Sequence, residues 1–331
     1  MKRFNGIALS VAFCSLASQA ALAQTKIDTL KVQNLNEVIV KGVRAAKEAP
    51  YAVANIRKSE LKQFSCSGQE LPFLLSRTPG ILAWSENGIG TGTTYMRIRG
   101  AAGSRINVTL DGVALNSPED QTVFWANMNS YSSLLGSIQV QRGVGSSTNG
   151  DGAFGGSISM ATAAPSLTPT AEVTGSFGSY NTYHTGASFS TGLLGKHLIF
   201  DGAYHETATD GYVDGTAGRS GSYYGGLTWL SDNFKVSYKN IGNFEKTGQA
   251  WNGVLGGDYN SNFSLLQDGI RTYKDMYKAG LDKFNVLTGD MVRNDKGDYT
   301  ITPYTLRDGS KWDKTTDNFY QNHNILSATW T

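Results

Sequence analysis

The second half of the chain alternates apolar and polar residues with a period of two. Within Phe234–Lys239, residues Phe234, Val236 and Tyr238 would face one side of a strand, and two lysines and a serine would face the other. Similar segments of about ten residues recur through residues 166–331, with turns between them. Period-two alternation is typical of a strand whose two faces meet different surroundings. It predicts an antiparallel sheet.

Such strands fit two kinds of protein. A transmembrane β-barrel presents one face of each strand to lipid and the other to its interior, and carries aromatic residues towards the strand ends. A soluble secreted β-sandwich uses the same alternation. The composition, with 39 Gly, 16 Tyr, 14 Phe and 6 Trp, favours antiparallel β-structure with tight turns in both cases. The alternation alone therefore leaves both architectures open.

The first 23 residues have the organisation of a secretory signal peptide. Met1-Lys2-Arg3 is a short basic opening, Ile7–Ala17 is an apolar run, and Ala21-Leu22-Ala23 has the small-x-small pattern of a cleavage site. We therefore expect an exported protein. Cleavage would remove two of the 29 basic residues and none of the 27 acidic ones. The resulting neutral chain gives no electrostatic basis for binding nucleic acid.

Residue types that carry catalysis or bind metals are sparse. After cleavage Cys66 would be the only thiol, so neither an intramolecular disulfide nor a cysteine-based zinc site is expected. The four histidines lack metal-ligand spacing, and the chain contains no G-x-S-x-G elbow. We expect no catalytic residues, no metal site and no cofactor, and thus a protein that is not an enzyme.

The first half mixes short helical and strand patterns. Ser67–Ser76 predicts a short helix with Ser67 as its cap, ended before a Thr-Pro-Gly turn. Met96–Arg99, Asn107–Leu110 and Ile138–Gln141 alternate as half-buried strands, and Asp111-Gly112 is a turn signal. This order of elements predicts a small α+β domain before the alternating half.

The stretch GDGAFGG spells a literal G-x-G-x-x-G at Gly150, Gly152 and Gly155. A dinucleotide site requires a helix directly after these glycines, because the helix N-terminus binds the pyrophosphate. Here Ser157–Thr162 follows and alternates as a strand. The glycines therefore predict a tight turn between two strands, not a nucleotide site.

Three blocks of the first half resemble the plug domain of TonB-dependent outer-membrane receptors. The first is Pro79-Gly80-Ile81 followed by MRIRG at 96–100, and the second is LDGVALN at 110–116 after Arg105. The third is VQRGVGSSTNGDGAFGGSISMAT from Val140 onwards, which is similar to receptors of the Bacteroidetes group. The resemblance covers roughly residues 37–165. It implies an α+β plug with a small mixed sheet and short helices, followed by antiparallel transmembrane barrel strands.

The resemblance also implies a domain order. We expect a signal peptide at 1–23, a periplasmic segment at 24–45, a plug at 46–165, and the first barrel strands at 166–331. The last range can supply about five or six strands of about ten residues each. A barrel that holds a plug needs something near 22 strands, so we expect the barrel to be incomplete here and the gene to continue.

A TonB box is implied near the start of the mature chain, at Glu37, Val38, Ile39, Val40 and Lys41. An extended apolar peptide of this kind can add as a strand to the edge of a partner's sheet. Residues 28–32, DTLKV, are the rival assignment. The implied partners are TonB with ExbB and ExbD, the lipid of the outer membrane and a small nutrient ligand. A surface lipoprotein is a further candidate partner.

Specific roles follow for plug residues. Arg97, Arg99 and Arg142 are expected to lie against the barrel wall and pair with its carboxylates, because the guanidinium fork binds a carboxylate bidentately. The expected ligand-facing aromatics, on polar loops, are Trp84, Tyr95, Phe124 and Trp125; alternatively, the last two pack beneath the barrel rim. The glycines expected at tight turns are Gly100, Gly112, Gly143, Gly150, Gly152 and Gly155.

The long stretch 245–319 has broken periodicity and is expected to be one large extracellular loop, with a local helix at 272–278. Together these features predict active uptake of a scarce nutrient across the outer membrane. An iron chelate, haem or a cobalamin-like compound would each fit. The alternative is a secreted or surface β-rich ligand-binding protein without transport activity.

Overall fold

The structure is a computed structural model. It describes residues 44–45, 50, 52–144, 153–250, 272–278, 280, 282–285, 289–293, 299–305, 311–312 and 316–330. The signal peptide, both candidate TonB boxes, Gly150 and Gly152 lie outside the described residues. Within the described ranges no helix has the length and apolarity needed to span a membrane.

A mixed five-stranded sheet forms the centre of the plug. Its strands are β1 (Ala52–Arg57), β4 (Ile106–Leu110), β5 (Val113–Ala114), β6 (Leu135–Arg142) and β7 (Gly156–Thr162). They lie in the order β1-β6-β7-β4-β5. Only β4 and β7 are parallel; the other pairs are antiparallel. The predicted mixed sheet is confirmed, and the residues after the glycine-rich stretch form a strand.

Short helices and a separate hairpin surround this sheet. They are α1 (Lys58–Ser65), α2 (Leu71–Leu75), α3 (Tyr131–Leu134), β2 (Ile81–Ser85) and β3 (Thr94–Ile98). Two 3-10 turns span Gly103–Arg105 and Trp125–Met128. The helix predicted at 67–76 is shorter than expected, because it begins after Glu70 with a proline in its first turn. Helix α1 was not predicted from the sequence.

The two faces of the five-stranded sheet differ in chemistry. On one face buried apolar side chains join α1 and α3 in a single core; they include Ile56, Val108, Leu110, Ile138, Val140, Ile158 and Met160. The opposite face carries uncharged polar side chains, which we call the polar face: Asn55, Asn107, Thr109, Gln139, Gln141, Ser157 and Ser159. Both sets come from the period-two alternation of the same strands.

The second half forms a six-stranded antiparallel sheet. Its strands are β8 (Thr170–Phe177), β9 (Tyr183–Ser190), β10 (Leu198–Thr209), β11 (Gly218–Leu230), β12 (Phe234–Gly248) and β16 (Thr316–Trp330). Each strand pairs with the next in this sequence, so the described sheet is open and ends at β8 and β16. Five or six strands were predicted, and six are present.

Part of the stretch between β12 and β16 has regular structure. Helix α4 (Tyr273–Lys278) confirms the predicted local helix. A separate three-stranded sheet consists of β13 (Gly289–Arg293), β14 (Tyr299–Thr305) and β15 (Lys311–Trp312). The described parts of this stretch are therefore short regular elements.

The six-stranded sheet exposes its apolar face. Val173 and Tyr320 are 84% and 85% exposed, while Ser222 and Ser237 on the opposite face are buried. The outward face also holds a network of amides: Asn240 donates to the Oδ1 atoms of Asn322 and Asn324 at 2.7 and 2.8 Å. We call the face that carries Ser222 and Ser237 the inward face.

The connections differ at the two ends of this sheet. Residues 191–197 and 231–233 are short turns at one end. Residues 178–182, 210–217 and 249–315 connect strands at the other end, which we call the long-loop end because of the last and longest of them. The asymmetry is typical of outer-membrane barrels, whose short turns face the periplasm.

Candidate functional site: the contact between the plug and the six-stranded sheet

The plug packs against the inward face of the six-stranded sheet. Ile241 of β12 is buried in the plug's hydrophobic core, and Ala203, Tyr224 and Ile325 pack against that core. Most of the other side chains of the inward face are polar, so the contact between the two parts is largely hydrogen-bonded. Its polar part comprises three clusters and one more exposed ion pair.

The first cluster centres on a buried ion pair between Lys239 of β12 and Asp111 of the plug. Lys239 Nζ lies 2.7 Å from Asp111 Oδ2, and the two side chains are only 10% and 6% exposed. Lys239 also donates to Thr162 Oγ1. Asp111 accepts from the Thr162 backbone N–H at 2.9 Å and from its hydroxyl at 2.8 Å. Thr162 thus hydrogen-bonds both charged groups. Removal of either charge would leave the other buried without an opposite charge.

The local fold of the plug places Asp111 at this position. Asp111 and Gly112 form the turn between β4 and β5, and both have positive φ, 50° and 85°. The side chain of Asp111 thereby reaches the end of β7, next to β4 in the sheet. Successive side chains of β12 alternate between the two faces of the sheet. Tyr238 lies on the outward face, so Lys239, the next residue, extends from the inward face.

The second cluster contains two buried carboxyl groups. Thr94 donates to Glu70 Oε2 at 2.6 Å, and Asn129 Nδ2 donates to Glu245 Oε2 at 2.7 Å. Asn243 of β12 donates to the Asn129 carbonyl at 3.2 Å. Burial, and then the nearby charge of Glu245, raise the pKa of Glu70 well above its usual value. This part of the contact therefore favours a neutral Glu70 carboxyl group.

The third cluster lies at the long-loop end, where a plug loop touches two barrel-side loops. The backbone N–H groups of Tyr212 and Val213 donate to the Asn87 carbonyl at 2.9 and 3.3 Å. The Ala250 N–H donates to Glu86 Oε2 at 3.0 Å. These bonds connect the plug to both loops that follow β10 and β12. A more exposed ion pair, Lys62 with Glu172 at 2.8 Å, lies outside the three clusters.

The predicted arginines do not provide the ion pairs within the described residues. Arg142 donates to the Pro79 carbonyl at 2.7 Å, which is a bond within the plug. Arg97 lies over the Trp84 ring, 5.9 Å from its centre, and Arg99 has a positive φ of 50° in the turn after β3. Lysines carry the described ion pairs between plug and sheet. Lys62 is a plug cation that meets a carboxylate of the sheet, as expected of the arginines, whereas Lys239 belongs to the sheet and meets a carboxylate of the plug.

The predicted ligand-facing aromatics divide into two groups. Trp84 and Tyr95 face each other across the β2–β3 hairpin, stacked at 5.5 Å and partly exposed. Phe124 is also exposed, but Trp125 is 5% exposed and belongs to the plug core. The prediction for Trp125 is therefore wrong, because the 3-10 turn directs successive side chains to different sides of the backbone.

The described glycines occupy tight positions. Gly100 and Gly143 have φ values of 83° and 91°, the left-handed region that favours glycine. At Gly155 an added Cβ would lie 2.5 Å from the Ala101 Cβ, so the backbone there requires glycine. Gly155 also bridges two segments, since it donates to the Arg105 carbonyl and accepts from the Gly143 N–H.

Sequence reasoning missed Lys239, Glu70 and Asn129. A signal for Lys239 was present, because a lysine on the side of a strand opposite to aromatics must face either solvent or a partner. Nothing in the sequence indicated that Glu70 and Asn129 would meet residues of β12. Among the described residues no group of three or more His, Cys, Asp or Glu side chains is arranged to hold a metal ion.

Comparison with known proteins agrees with this architecture. The family model for the TonB-dependent Receptor Plug Domain matches residues 45–157. Comparison with curated proteins found no match. The fold is similar to that of the ferripyoverdine receptor of the outer membrane of Pseudomonas aeruginosa, at a TM-score of 0.58 and 14% identity over 86% of this chain and 32% of that one.

The structure of P. aeruginosa FpvA bound to a heterologous pyoverdine gives a TM-score of 0.57 at 14% identity over 85% of this chain and 32% of that one. The ferric yersiniabactin uptake receptor FyuA from Yersinia pestis gives 0.50 at 16% identity, over 64% of this chain and 35% of that one. At these identities the likeness concerns the fold alone. The chain spans about a third of the length of these receptors.

The plug-domain match covers β1 to β6 and the start of β7, and the fold similarity extends over 85–86% of this chain. The chain therefore contains a plug domain of the TonB-dependent receptor type at residues 45–157, and its fold is similar to that of outer-membrane receptors.

Proposed function

We propose that this protein takes up a scarce nutrient across the outer membrane, with energy supplied through TonB. One observation carries the proposal: the plug binds the polar inward face of a sheet whose outward face is apolar and aromatic. A soluble protein would bury that apolar face, whereas a membrane barrel turns it towards lipid. The polar contact suits a plug that must move, since water can replace its hydrogen bonds.

In this proposal the long-loop end faces the outside of the cell. The plug loop at Asn87 and the stacked pair Trp84 and Tyr95 then belong to the surface that meets the ligand, and Phe124 adds a further exposed aromatic. Aromatic faces with nearby polar groups are common in ligand sites. The domain boundaries proposed above, at 23, 45 and 165, complete this arrangement.

An iron chelate is the ligand class that we favour, with haem or a cobalamin-like compound as alternatives. The support is that the similar structures include a ferripyoverdine receptor and a ferric yersiniabactin uptake receptor. We propose transport and not catalysis. Uptake of radiolabelled iron chelates, haem and cobalamin by cells that express the full-length protein will separate these classes.

We place the TonB box at Glu37–Lys41, with TonB, ExbB and ExbD as partners and a surface lipoprotein as a further one. Deletion of residues 37–41 from the full-length protein should abolish uptake and leave surface binding of the nutrient intact. The matched control is deletion of residues 28–32. If uptake survives the first deletion and is lost in the second, the box lies at the earlier site.

The same cells distinguish transport from the alternative function, which is ligand binding at the cell surface without transport. A binding protein would retain the nutrient at the surface, and no label would enter even when the proton gradient is intact. Gradient-dependent entry that stops with an uncoupler would contradict this alternative.

A further inference from the structure

The segment that enters the plug from the N-terminus is bound to the polar face of the five-stranded sheet. The Ala45 N–H donates to Gln139 Oε1 at 2.7 Å, and Gln139 Nε2 donates back to the Ala45 carbonyl at 3.2 Å. One side chain thus satisfies both backbone groups of Ala45, as a neighbouring strand would. Gln139 Nε2 also donates to Asn55 Oδ1 on β1 at 3.0 Å.

Arg44 makes the second attachment, one residue earlier. Its guanidinium donates to the hydroxyl and carbonyl of Ser137 at 2.9 and 3.3 Å, and to those of Ser159 at 3.2 and 3.1 Å. Ser137 lies on β6 and Ser159 on β7, so a single side chain connects two adjacent strands. The ladder between these strands shifts register at Ser137. Such irregularities leave backbone groups open to other donors.

These contacts join parts of the chain that are far apart in sequence, with separations of 93 to 115 residues. Strands β6 and β7 are interior strands of the five-stranded sheet, whereas β1 is an edge strand. Without the Arg44 and Ala45 contacts, tension on the N-terminal segment would reach Ala52 first. Ala52 pairs with Arg142 at the end of β1, so β1 would separate from β6 one residue pair at a time.

We infer that Arg44 and Gln139 form a clasp that transfers tension from the N-terminal segment to the β6–β7 pair, before the edge strand β1 is loaded. The functional meaning of the clasp rests on the proposed function, in which TonB pulls on residues that precede Arg44. In that setting the clasp determines which part of the plug yields first. It delays the release of β1 until the hydrogen bonds of Arg44 and Gln139 have broken.

A pulling experiment tests the clasp directly. The full-length receptor is held in a supported bilayer and pulled from its N-terminus by single-molecule force spectroscopy. A clasp produces a first rupture event before β1 separates. Because Ala45 and Ala52 are seven residue steps apart, that event lengthens the chain by at most about 25 Å.

Gln139→Leu should lower the force of this first event, since leucine has a similar size and cannot bind Ala45, while Arg44 keeps its bonds to Ser137 and Ser159. Arg44→Met combined with Gln139→Leu should remove the event. Gln141→Leu is the matched control: it makes the same change two residues along the same face of β6 and leaves the Gln139–Ala45 pair in place. An equal drop in force in Gln139→Leu and Gln141→Leu, or an unchanged event in the double variant, would overturn the inference.

Ala45→Pro provides an independent variant outside the sheet. It removes the N–H that Gln139 accepts and alters no side chain of the plug core, so plug folding is preserved while the first event weakens or disappears. An unchanged first event in this variant would also overturn the inference. The experiment needs no TonB, so its outcome is independent of the uptake test that decides the proposed function.

Discussion

The two main sheets differ in what they expose: the five-stranded sheet buries side chains of both faces, whereas the six-stranded sheet exposes its apolar face. In the five-stranded sheet of the plug, Ile138 and Ile158 are buried and face the helices. In the six-stranded sheet, Ser222 and Ser237 are buried, while Val173 and Tyr320 are the most exposed of the described large hydrophobic residues. Both sheets use the same period-two alternation. The alternation therefore specifies two faces and does not specify which face meets the core.

The difference also explains the character of the contact between the two parts. The inward face of the six-stranded sheet is rich in hydroxyl, amide and charged groups. It contacts the plug through few apolar side chains and a small number of specific polar pairs, such as Lys239 with Asp111 and Glu245 with Asn129. A change at one such pair should therefore matter more than a change at most other surface positions.

The largest effect is expected at the buried ion pair between the sheets. Lys239→Ala leaves Asp111 charged and buried, which should destabilise the docked plug by about 3–5 kcal/mol. Lys62→Ala, at a mostly exposed pair, should cost about 1 kcal/mol or less. Urea unfolding of the plug within the full-length receptor measures both.

A double variant distinguishes a charge effect from a packing effect at the same position. Lys239→Met combined with Asp111→Asn removes both charges, so it should recover most of the stability lost in Lys239→Ala. Equal destabilisation by the single and double variants would show that the ion pair is not the source.

A smaller effect is expected when a charge is placed on the outward face. Val173 aligns through the strand register with the middle of β10 and β11, so we expect it to lie near the centre of the bilayer. Val173→Arg should cost about 2–4 kcal/mol in lipid. Val144→Arg, at an exposed valine of the plug, should change stability by about 0.5 kcal/mol or less.

Thermal unfolding of the full-length receptor in lipid vesicles compares the two valine variants. Val173 and Val144 are both largely exposed. An arginine should therefore cost different amounts of stability at the two positions only if one surface faces lipid and the other faces water. Equal shifts in melting temperature would contradict the assignment of the outward face to lipid.

The amide network on the outward face should have a modest effect. Asn322→Ala removes the acceptor of Asn240 and the donor to the Tyr223 hydroxyl. Hydrogen bonds between polar groups in a membrane contribute about 0.6 kcal/mol on average, and at most about 1.7. We expect a loss in this range, measured by unfolding in lipid vesicles. A gain in stability would indicate that the network is not needed to satisfy these amides.

The last prediction concerns how the free energy of unfolding depends on pH. The pKa of Glu70 is raised in the folded plug, so the folded state holds this proton more tightly than the unfolded chain. Its contribution to stability is complete below the ordinary glutamate pKa, about 4.3, and is lost as pH rises through the pKa of folded Glu70. Glu70→Gln should flatten this part of the pH profile in urea unfolding. An unchanged slope would assign the dependence to other groups.

The sequence predicted the plug strands more closely than the plug helices. Alternation placed strands within one to three residues of β3, β4 and β6, because each strand has one apolar and one polar face. Helix α1 was missed since its short amphipathic stretch, KSELKQFS, contains few apolar residues. The helix at Leu71–Leu75 was overextended because Ser67 looks like a cap but lies in the turn after α1.

The candidate site was less predictable. Arginines were expected at the contact because a guanidinium group binds a carboxylate bidentately. The described ion pairs between plug and sheet instead use Lys239 and Lys62. Which cation meets which carboxylate depends on the distance and angle between two sheets that are separate in sequence. No local pattern encodes that distance. Trp125 was misplaced for a related reason, because its neighbours in the core come from other segments.

The sequence by itself determined the two alternating regions and the turns at Gly100, Gly112 and Gly143, since each of these depends on residues that are neighbours in the chain. Only the tertiary structure decided that Lys239 meets Asp111, that Glu70 lies buried beside Glu245, and that Arg44 and Gln139 hold the entering segment. These pairs join positions 93 to 175 residues apart according to the numbering. Their energies arise from burial and hydrogen bonding that exist only after the two sheets have packed together.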